Sequence, residues 1–151
     1  MGQLTVEERR RIGEAVSVSE MKLPEKLPVL RVAPMPADVN QNGDIFGGWV
    51  MSLVDIAGGI VAQLRARGRV VTVAVNSLTF KHPVLVGDLV SFYADVARVG
   101  TTSLTVNVEV YTQRHPEKVL TLKVTEACIT YVAIDETGRP RPVPVAVPLT
   151  S

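Results

Sequence analysis

A single carboxylate lies in the middle of the most apolar stretch of this sequence. Asp55 is the only charged residue between Phe46 and Leu64. Burying an unpaired carboxylate costs several kcal/mol, so Asp55 either pairs with a Lys or Arg from elsewhere, lies at a hydrated edge, or is held ready for chemistry. We favour the last interpretation, because a carboxylate in an apolar cleft can act as a general base or as a nucleophile.

Two adjacent glycines, Gly47 and Gly48, provide a second chemical feature. They follow a turn signal at Asn42 and Gly43 and open the apolar stretch. Backbone N–H groups in the first turn of a helix have no partner within the helix and carry partial positive charge. Because glycine has no Cβ, another molecule can approach these groups closely. The start of the helix is therefore suited to a carbonyl oxygen that becomes negative during a reaction.

A helix is the element that must position these groups. The stretch is too long for a strand and has no turn signals after Gly48. At helical spacing, one face carries small residues and the acid: Gly48, Ser52, Asp55 and Gly59. Another face carries large apolar residues: Trp49, Leu53, Ile56 and Ile60. We expect the large residues to pack in the core and the small ones to line a groove that contains the carboxylate.

The spacing along this helix also predicts a dimer. A rise of about 1.5 Å per residue puts Asp55 roughly 10 Å from Gly48 along the axis. One helix is therefore not expected to supply both groups to one small substrate. Two copies of the chain that run past each other could do so, which predicts shared sites.

Composition predicts one globular domain. The chain has 151 residues, of which 46% are hydrophobic and 21% charged. A net charge of +1 and an aromatic content of 5% argue against a nucleic-acid partner or an anionic membrane surface. A membrane span is not expected either, because Asp55 at its centre would cost roughly 2.5–3.5 kcal/mol. The single cysteine, Cys128, and the lack of a signal-peptide pattern predict a cytoplasmic protein.

The order of elements predicts an α+β protein. A short helix is expected over residues 5–16 and a short strand over 29–33, before the long helix. Four strands are expected after it, over 70–80, 89–99, 103–113 and 119–134. Short connections favour antiparallel neighbours, so we expect a curved sheet of five to six strands wrapped around one central helix. Residues 1–28 would form an extension, 29–146 one domain and 147–151 a tail.

Several segments then resemble one family. Residues 40–49, NQNGDIFGGW, continuing to Met51, Val54 and Asp55, resemble the signature of hotdog-fold acyl-CoA thioesterases of the YciA type. Further similar segments are 68–75, 83–88 and 98–100, so the resemblance extends over roughly residues 30–144. It implies a hotdog fold and the hydrolysis of acyl-CoA thioesters.

The resemblance also implies catalytic roles for three residues. Asp55 would be the general base or the nucleophile. Asn40, from the opposite subunit, would help to place water or the thioester. The backbone N–H of Gly48 would polarise the thioester carbonyl. Such proteins are homo-oligomers built from dimers, here expected to be a hexamer, and they need no cofactor because CoA is part of the substrate.

Five further residues are expected to contact that substrate. Gly47 and Asp44 lie beside the catalytic positions, and Arg98, Thr101 and Ser103 lie in a turn that CoA passes in related proteins. Relatives carry a basic residue where this chain has Thr101, so a phosphate contact is not expected from that side chain. Asp44 also has a simpler explanation, which we favour: it stabilises a turn or caps the helix.

The remaining reactive side chains have structural explanations. His82 and His115 adjoin prolines in predicted turns, and Cys128 is expected to be a buried, inert thiol. No metal-ligand spacing and no Gly-x-Ser-x-Gly motif occurs in the sequence. Two functions stay open: an acyl-CoA thioesterase, and a non-catalytic acyl-CoA sensor on the same fold. Asp55 favours the enzyme, because a binding module has no need of an acid that faces its ligand.

Overall fold

Residues 21–146 are described in a computed structural model of the chain. Within that range there is one α-helix, α1 (Gly47–Ala66), and five strands: β1 (Leu30–Val32), β2 (Val70–Phe80), β3 (Leu89–Val99), β4 (Ser103–Arg114) and β5 (Leu120–Ala133). The strand bounds agree with the predicted ones to within one residue at each end. The helix predicted over 5–16 and the tail from 147 lie outside the described residues.

All five strands form one antiparallel sheet in the order β1-β3-β4-β5-β2. This confirms the α+β architecture, and the described residues contain five of the five to six strands expected. The expectation that β2 pairs with the next strand is wrong, since β2 pairs with β5 instead. Residues 81–88 are not a hairpin turn. They connect β2, at one edge of the sheet, to β3, which lies next to the opposite edge, and Val84 of this connection is buried in the core.

The helix packs on the sheet through its smaller apolar residues. Its buried residues are Val50, Val54, Ala57, Gly58, Ala62 and Ala66. The expected core face is therefore only partly correct, because Trp49 and Leu53 pack at the margin of the core and Ile56 is 51% exposed. A face with small side chains lets the helix axis approach the sheet closely, so this is the face that the helix buries. The groove face is confirmed as open: Gly48 and Ser52 are exposed.

At the C-terminal end of α1, Arg67, with φ of 53°, adopts the left-handed conformation, and Gly68 follows it with its N–H 3.3 Å from the Gln63 carbonyl oxygen. Gly68 also leaves room for a neighbouring side chain. A Cβ there would lie 2.6 Å from Nη2 of Arg141, the atom that donates to the Ala66 carbonyl oxygen at 2.9 Å. Glycine thus allows the arginine to cap the helix.

The strand at one edge of the sheet, β2, is exposed. Almost every residue of β2 is exposed, including Val71, Val73 and Val75. Met51 and Ile56 of α1 are exposed apolar residues as well. The helix is long and apolar enough to cross a membrane by length and composition alone, but it packs against β2, β3, β4 and β5 in the way of a core helix.

Candidate active site

Asp55 is held by two hydroxyl groups from the sheet. Its side chain is half-buried, and its Oδ1 accepts a hydrogen bond of 2.6 Å from the Thr72 hydroxyl of β2. The Tyr131 hydroxyl of β5 lies 3.2 Å from the same oxygen and 2.8 Å from the Asp55 carbonyl oxygen. Among the ion pairs formed by residues 21–146, none includes Asp55. The pairing with Lys or Arg that would explain Asp55 structurally is therefore not found.

The sequence interpretation missed both Thr72 and Tyr131 at this site, and Tyr131 is the more deeply buried of the two. It is 1% exposed, and burial, followed by the nearby Asp55 carboxylate, raises the pKa of its hydroxyl. The hydroxyl therefore stays protonated and donates. A tyrosine in a strand gives no sign in the sequence of the helix residue it contacts, because Tyr131 and Asp55 are 76 positions apart.

The start of α1 combines free backbone donors with two aromatic rings. Gly47 and Gly48 are exposed in the first turn, where N–H groups have no acceptor within the helix. A Cβ on Gly48 would lie 3.1 Å from the Phe46 ring, and one on Gly47 would lie 3.3 Å from the Phe80 ring. The glycines thus allow ring packing as well as approach to the backbone. Phe46 and Phe80 were not predicted to flank the site.

Asn40 organises the loop that leads into the helix. Its Oδ1 accepts N–H bonds from Asn42 at 2.9 Å and from Asp44 at 3.2 Å. Gly43 has φ of 82°, as the predicted turn requires. Oδ1 of Asn40 is thus used as an acceptor within the turn, and its amide NH2 group is the donor that can reach water or a substrate. Asp44 takes part in this turn through its backbone N–H and carbonyl oxygen, which bond to Asn40; the capping or turn-stabilising role of its side chain stays a prediction.

The other expected substrate contacts lie at the far end of the helix. The turn that contains Thr101 is closed by the Gly100 N–H and the Ser103 carbonyl oxygen at 2.8 Å. The next residue, Leu104, packs against Ala66 at the last turn of α1. A helix of 20 residues is about 30 Å long. One chain therefore brings Asn40, Asp44, Gly47 and Gly48 to one end of α1 and keeps Arg98, Thr101 and Ser103 at the other.

The remaining reactive residues are two histidines and one cysteine. His82 and His115 are in bends or turns, and His115 has φ of 62°. Cys128 is half-buried rather than fully buried. Its neighbours Ala127 and Ile129 point into the core, so the strand alternation puts the thiol on the opposite face of the sheet. In the part of the chain that is described, no group of three or more His, Cys, Asp or Glu could hold a metal ion.

Proteins that are similar to this chain in sequence are named as thioesterases. Residues 42–118 match the family model of the Thioesterase superfamily. Acyl-CoA thioester hydrolase YciA of Salmonella typhimurium is 52% identical over 119 residues, which is 78% of this chain and 90% of that protein. The protein of the same name from Escherichia coli K12 is 51% identical with the same coverage.

Solved structures agree with the sequence relatives. A hexameric thioesterase from Yersinia pestis has a TM-score of 0.75 and 49% identity, covering 82% of this chain and 100% of that one. A hexameric hotdog-fold thioesterase of Campylobacter jejuni has a TM-score of 0.77 and 40% identity, covering 81% and 93%. The resemblance seen in residues 40–55 is thereby confirmed, and this chain belongs to the hotdog-fold Thioesterase superfamily, among the YciA-type acyl-CoA thioester hydrolases.

Proposed function

We propose that this protein hydrolyses acyl-CoA thioesters to a free acid and CoA, with Asp55 as the reacting carboxylate. The observation that carries the proposal is the state of Asp55: half-buried on the open groove, bonded to two neutral hydroxyls and to no cation among the described residues. Relatives at 52% identity are named as acyl-CoA thioester hydrolases. A sensor that only bound acyl-CoA would gain nothing from this carboxylate.

The reaction can follow either of two routes from the same geometry. As a general base, Asp55 takes a proton from water while the water oxygen bonds to the thioester carbon. As a nucleophile, it forms an anhydride that water then hydrolyses. In both routes the carbon–sulfur bond breaks, and CoA leaves as a thiolate that takes up a proton. The N–H of Gly48 donates to the carbonyl oxygen as that oxygen becomes negative.

The proposed site is shared between two subunits, so the dimer is the functional unit. Gly48 and Asp55 are roughly 10 Å apart along one axis, which favours a partner that supplies Asn40 and the Gly48 N–H to Asp55. The exposed edge strand β2, with Val71 and Val73, is a surface that a second copy can cover. Proteins of similar structure are described as hexameric, and we propose a hexamer built as a trimer of dimers for this chain.

The CoA part of the substrate is proposed to extend toward the turn over residues 98–103. Arg98 is exposed there and can pair with a phosphate, whereas Thr101 and Ser103 can contribute only hydroxyls. Gly47 and Asp44 lie near the thioester end. We expect no cofactor, because the reacting sulfur belongs to the substrate. A cytoplasmic location and the absence of a membrane role remain predictions.

The deciding experiment measures free thiol released from a panel of acyl-CoAs. Asp55→Asn preserves size and hydrogen bonding but removes the base, so we expect turnover to fall about 10²–10⁴-fold. Asp95→Asn is the matched control, because Asp95 is an exposed aspartate that pairs with Lys26, and it should retain wild-type turnover. The signal from Cys128 is subtracted with enzyme alone. Wild-type turnover in Asp55→Asn would contradict the assignment, and binding without thiol release by the wild type would support the sensor.

A further inference from the structure

The hydroxyl of Tyr131 touches α1 at two atoms of one residue. It lies 2.8 Å from the Asp55 carbonyl oxygen and 3.2 Å from Oδ1 of the Asp55 side chain. The backbone contact fixes the distance between β5 and the helix at this turn, and the side-chain contact restrains the carboxylate rotamer. We propose that Tyr131 is a positioning residue for the thioesterase reaction, acting through Asp55; the inference rests on the proposed function.

The helix is built to admit this hydroxyl. Gly58 is buried in α1, and a Cβ at that position would collide with the Tyr131 hydroxyl oxygen and lie 3.1 Å from the ring carbon that carries it. Glycine inside a helix is destabilising relative to alanine. The close approach of the tyrosine gives a physical reason for glycine at this position.

The hydroxyl groups of Thr72 and Tyr131 reach the carboxylate from different environments. Thr72 lies on the exposed edge strand, whereas Tyr131 is buried beneath the helix. Both bonds go to Oδ1, which leaves Oδ2 with the greater capacity to accept a proton from water or to attack the thioester. Because burial and the carboxylate both raise the pKa of Tyr131, its proton stays on the phenol oxygen and is not the one transferred.

The test is Tyr131→Phe, which removes only the hydroxyl. We expect kcat to fall about 10-fold or more, as for the loss of a hydrogen bond to a charged group, while KM changes by less than about twofold. Tyr111→Phe is the matched control, because that hydroxyl bonds to Glu109 rather than to Asp55, and its kcat and KM should match the wild type.

Two further variants separate positioning from folding. In an Asp55→Ala background, Tyr131→Phe should cause no additional loss of residual turnover, since the residue acts through the carboxylate. Gly58→Ala should lower kcat in the otherwise wild-type chain and lower it less in the Tyr131→Phe background. Wild-type kcat in Tyr131→Phe, or a change in KM alone, would overturn the inference. The proposed function fails separately, through full activity of Asp55→Asn.

Discussion

At the scale of single residues, the site is a carboxylate that accepts hydrogen bonds from two hydroxyl groups. Asp55 has no cationic partner within the described chain, and Thr72 supplies its shortest hydrogen bond at 2.6 Å. A carboxylate that accepts hydrogen bonds from neutral hydroxyls remains available to react. In an ion pair, by contrast, the partner cation already stabilises the negative charge of the carboxylate. The type of partner thus separates a reactive acid from a structural one.

The Thr72 hydroxyl should therefore matter more than its exposed position suggests. Thr72→Val keeps the β-branched shape that suits a strand and removes the donor to Oδ1. We expect kcat to fall about 10-fold, the effect of losing a hydrogen bond to a charged group. Thr72→Ser restores the hydroxyl and should recover most of the rate. Equal rates in the valine and serine variants would mean that the hydroxyl is not used.

Gly48 is expected to need its bare backbone. A side chain there would meet the Phe46 ring and block the approach of a carbonyl oxygen to the N–H group. Loss of one oxyanion donor lowers turnover by about 10²–10³-fold, so Gly48→Val should fold and lose activity by that factor in thiol release. Val119→Ala is the control, because Val119 is 56% exposed in the connection between β4 and β5 and lies outside the proposed site. Full activity of Gly48→Val would exclude close approach here.

At the scale of elements, a buried ion pair holds the connection between β2 and β3, and this connection contacts the residues just before the helix. Asp88 and Arg114 are 2% and 5% exposed and form two hydrogen bonds of 2.9 and 3.0 Å. Asp88 also accepts the Leu85 N–H at 2.9 Å, and Arg114 donates to the Pro83 carbonyl oxygen at 3.1 Å. In the same loop, the Val84 carbonyl oxygen accepts the Ile45 N–H at 2.9 Å. The pair thus supports the residues that lead into Gly47.

Removal of one partner should be costly. Burial raises the pKa of Asp88, and the Arg114 guanidinium opposes this effect. Arg114→Met leaves the acid buried without its cation, and we expect unfolding free energy to fall by about 3–5 kcal/mol in urea denaturation. Lys81→Met is the control, because Lys81 pairs with Glu126 at the surface, a type of pair worth about 0–1 kcal/mol. Equal losses in the two variants would contradict the supporting role of the pair.

At the scale of the whole molecule, the shared site can be tested by mixing inactive chains. Asn40→Ala and Asp55→Ala should each be inactive alone. If each site draws Asn40 from one subunit and Asp55 from the other, a mixed dimer has one intact site and one doubly damaged site. Random exchange makes about half of the dimers mixed, so activity should recover to about a quarter of wild type.

As a control, mass spectrometry of the mixed sample verifies that the subunits have exchanged. Exchange without recovery would mean that both residues act from one chain or that Asn40 is not needed. Light scattering supplies an independent measurement: a monomer at the working concentration would remove the shared-site proposal.

The sequence by itself determined the features that depend on neighbouring residues. The run of apolar residues with one acid predicted α1, Gly43 predicted the turn before it, and turn residues such as Gly100 predicted strand ends to within one position. Side-chain periodicity and backbone conformation act over a few residues, so they can be read without knowing the fold. The groove residue Asp55 was identified for the same reason.

Tertiary structure decided which distant residues meet. The pairing of β2 with β5, the burial of Val54 in preference to Ile56, and the contact of Tyr131 with Asp55 all depend on how the sheet closes over the helix. Each joins parts of the chain far apart in sequence, and loop length does not determine which strand a distant segment pairs with. Periodicity can place Asp55 on a helix face, but only the packed sheet brings Thr72 and Tyr131 to its carboxylate, because these contacts arise when the elements dock.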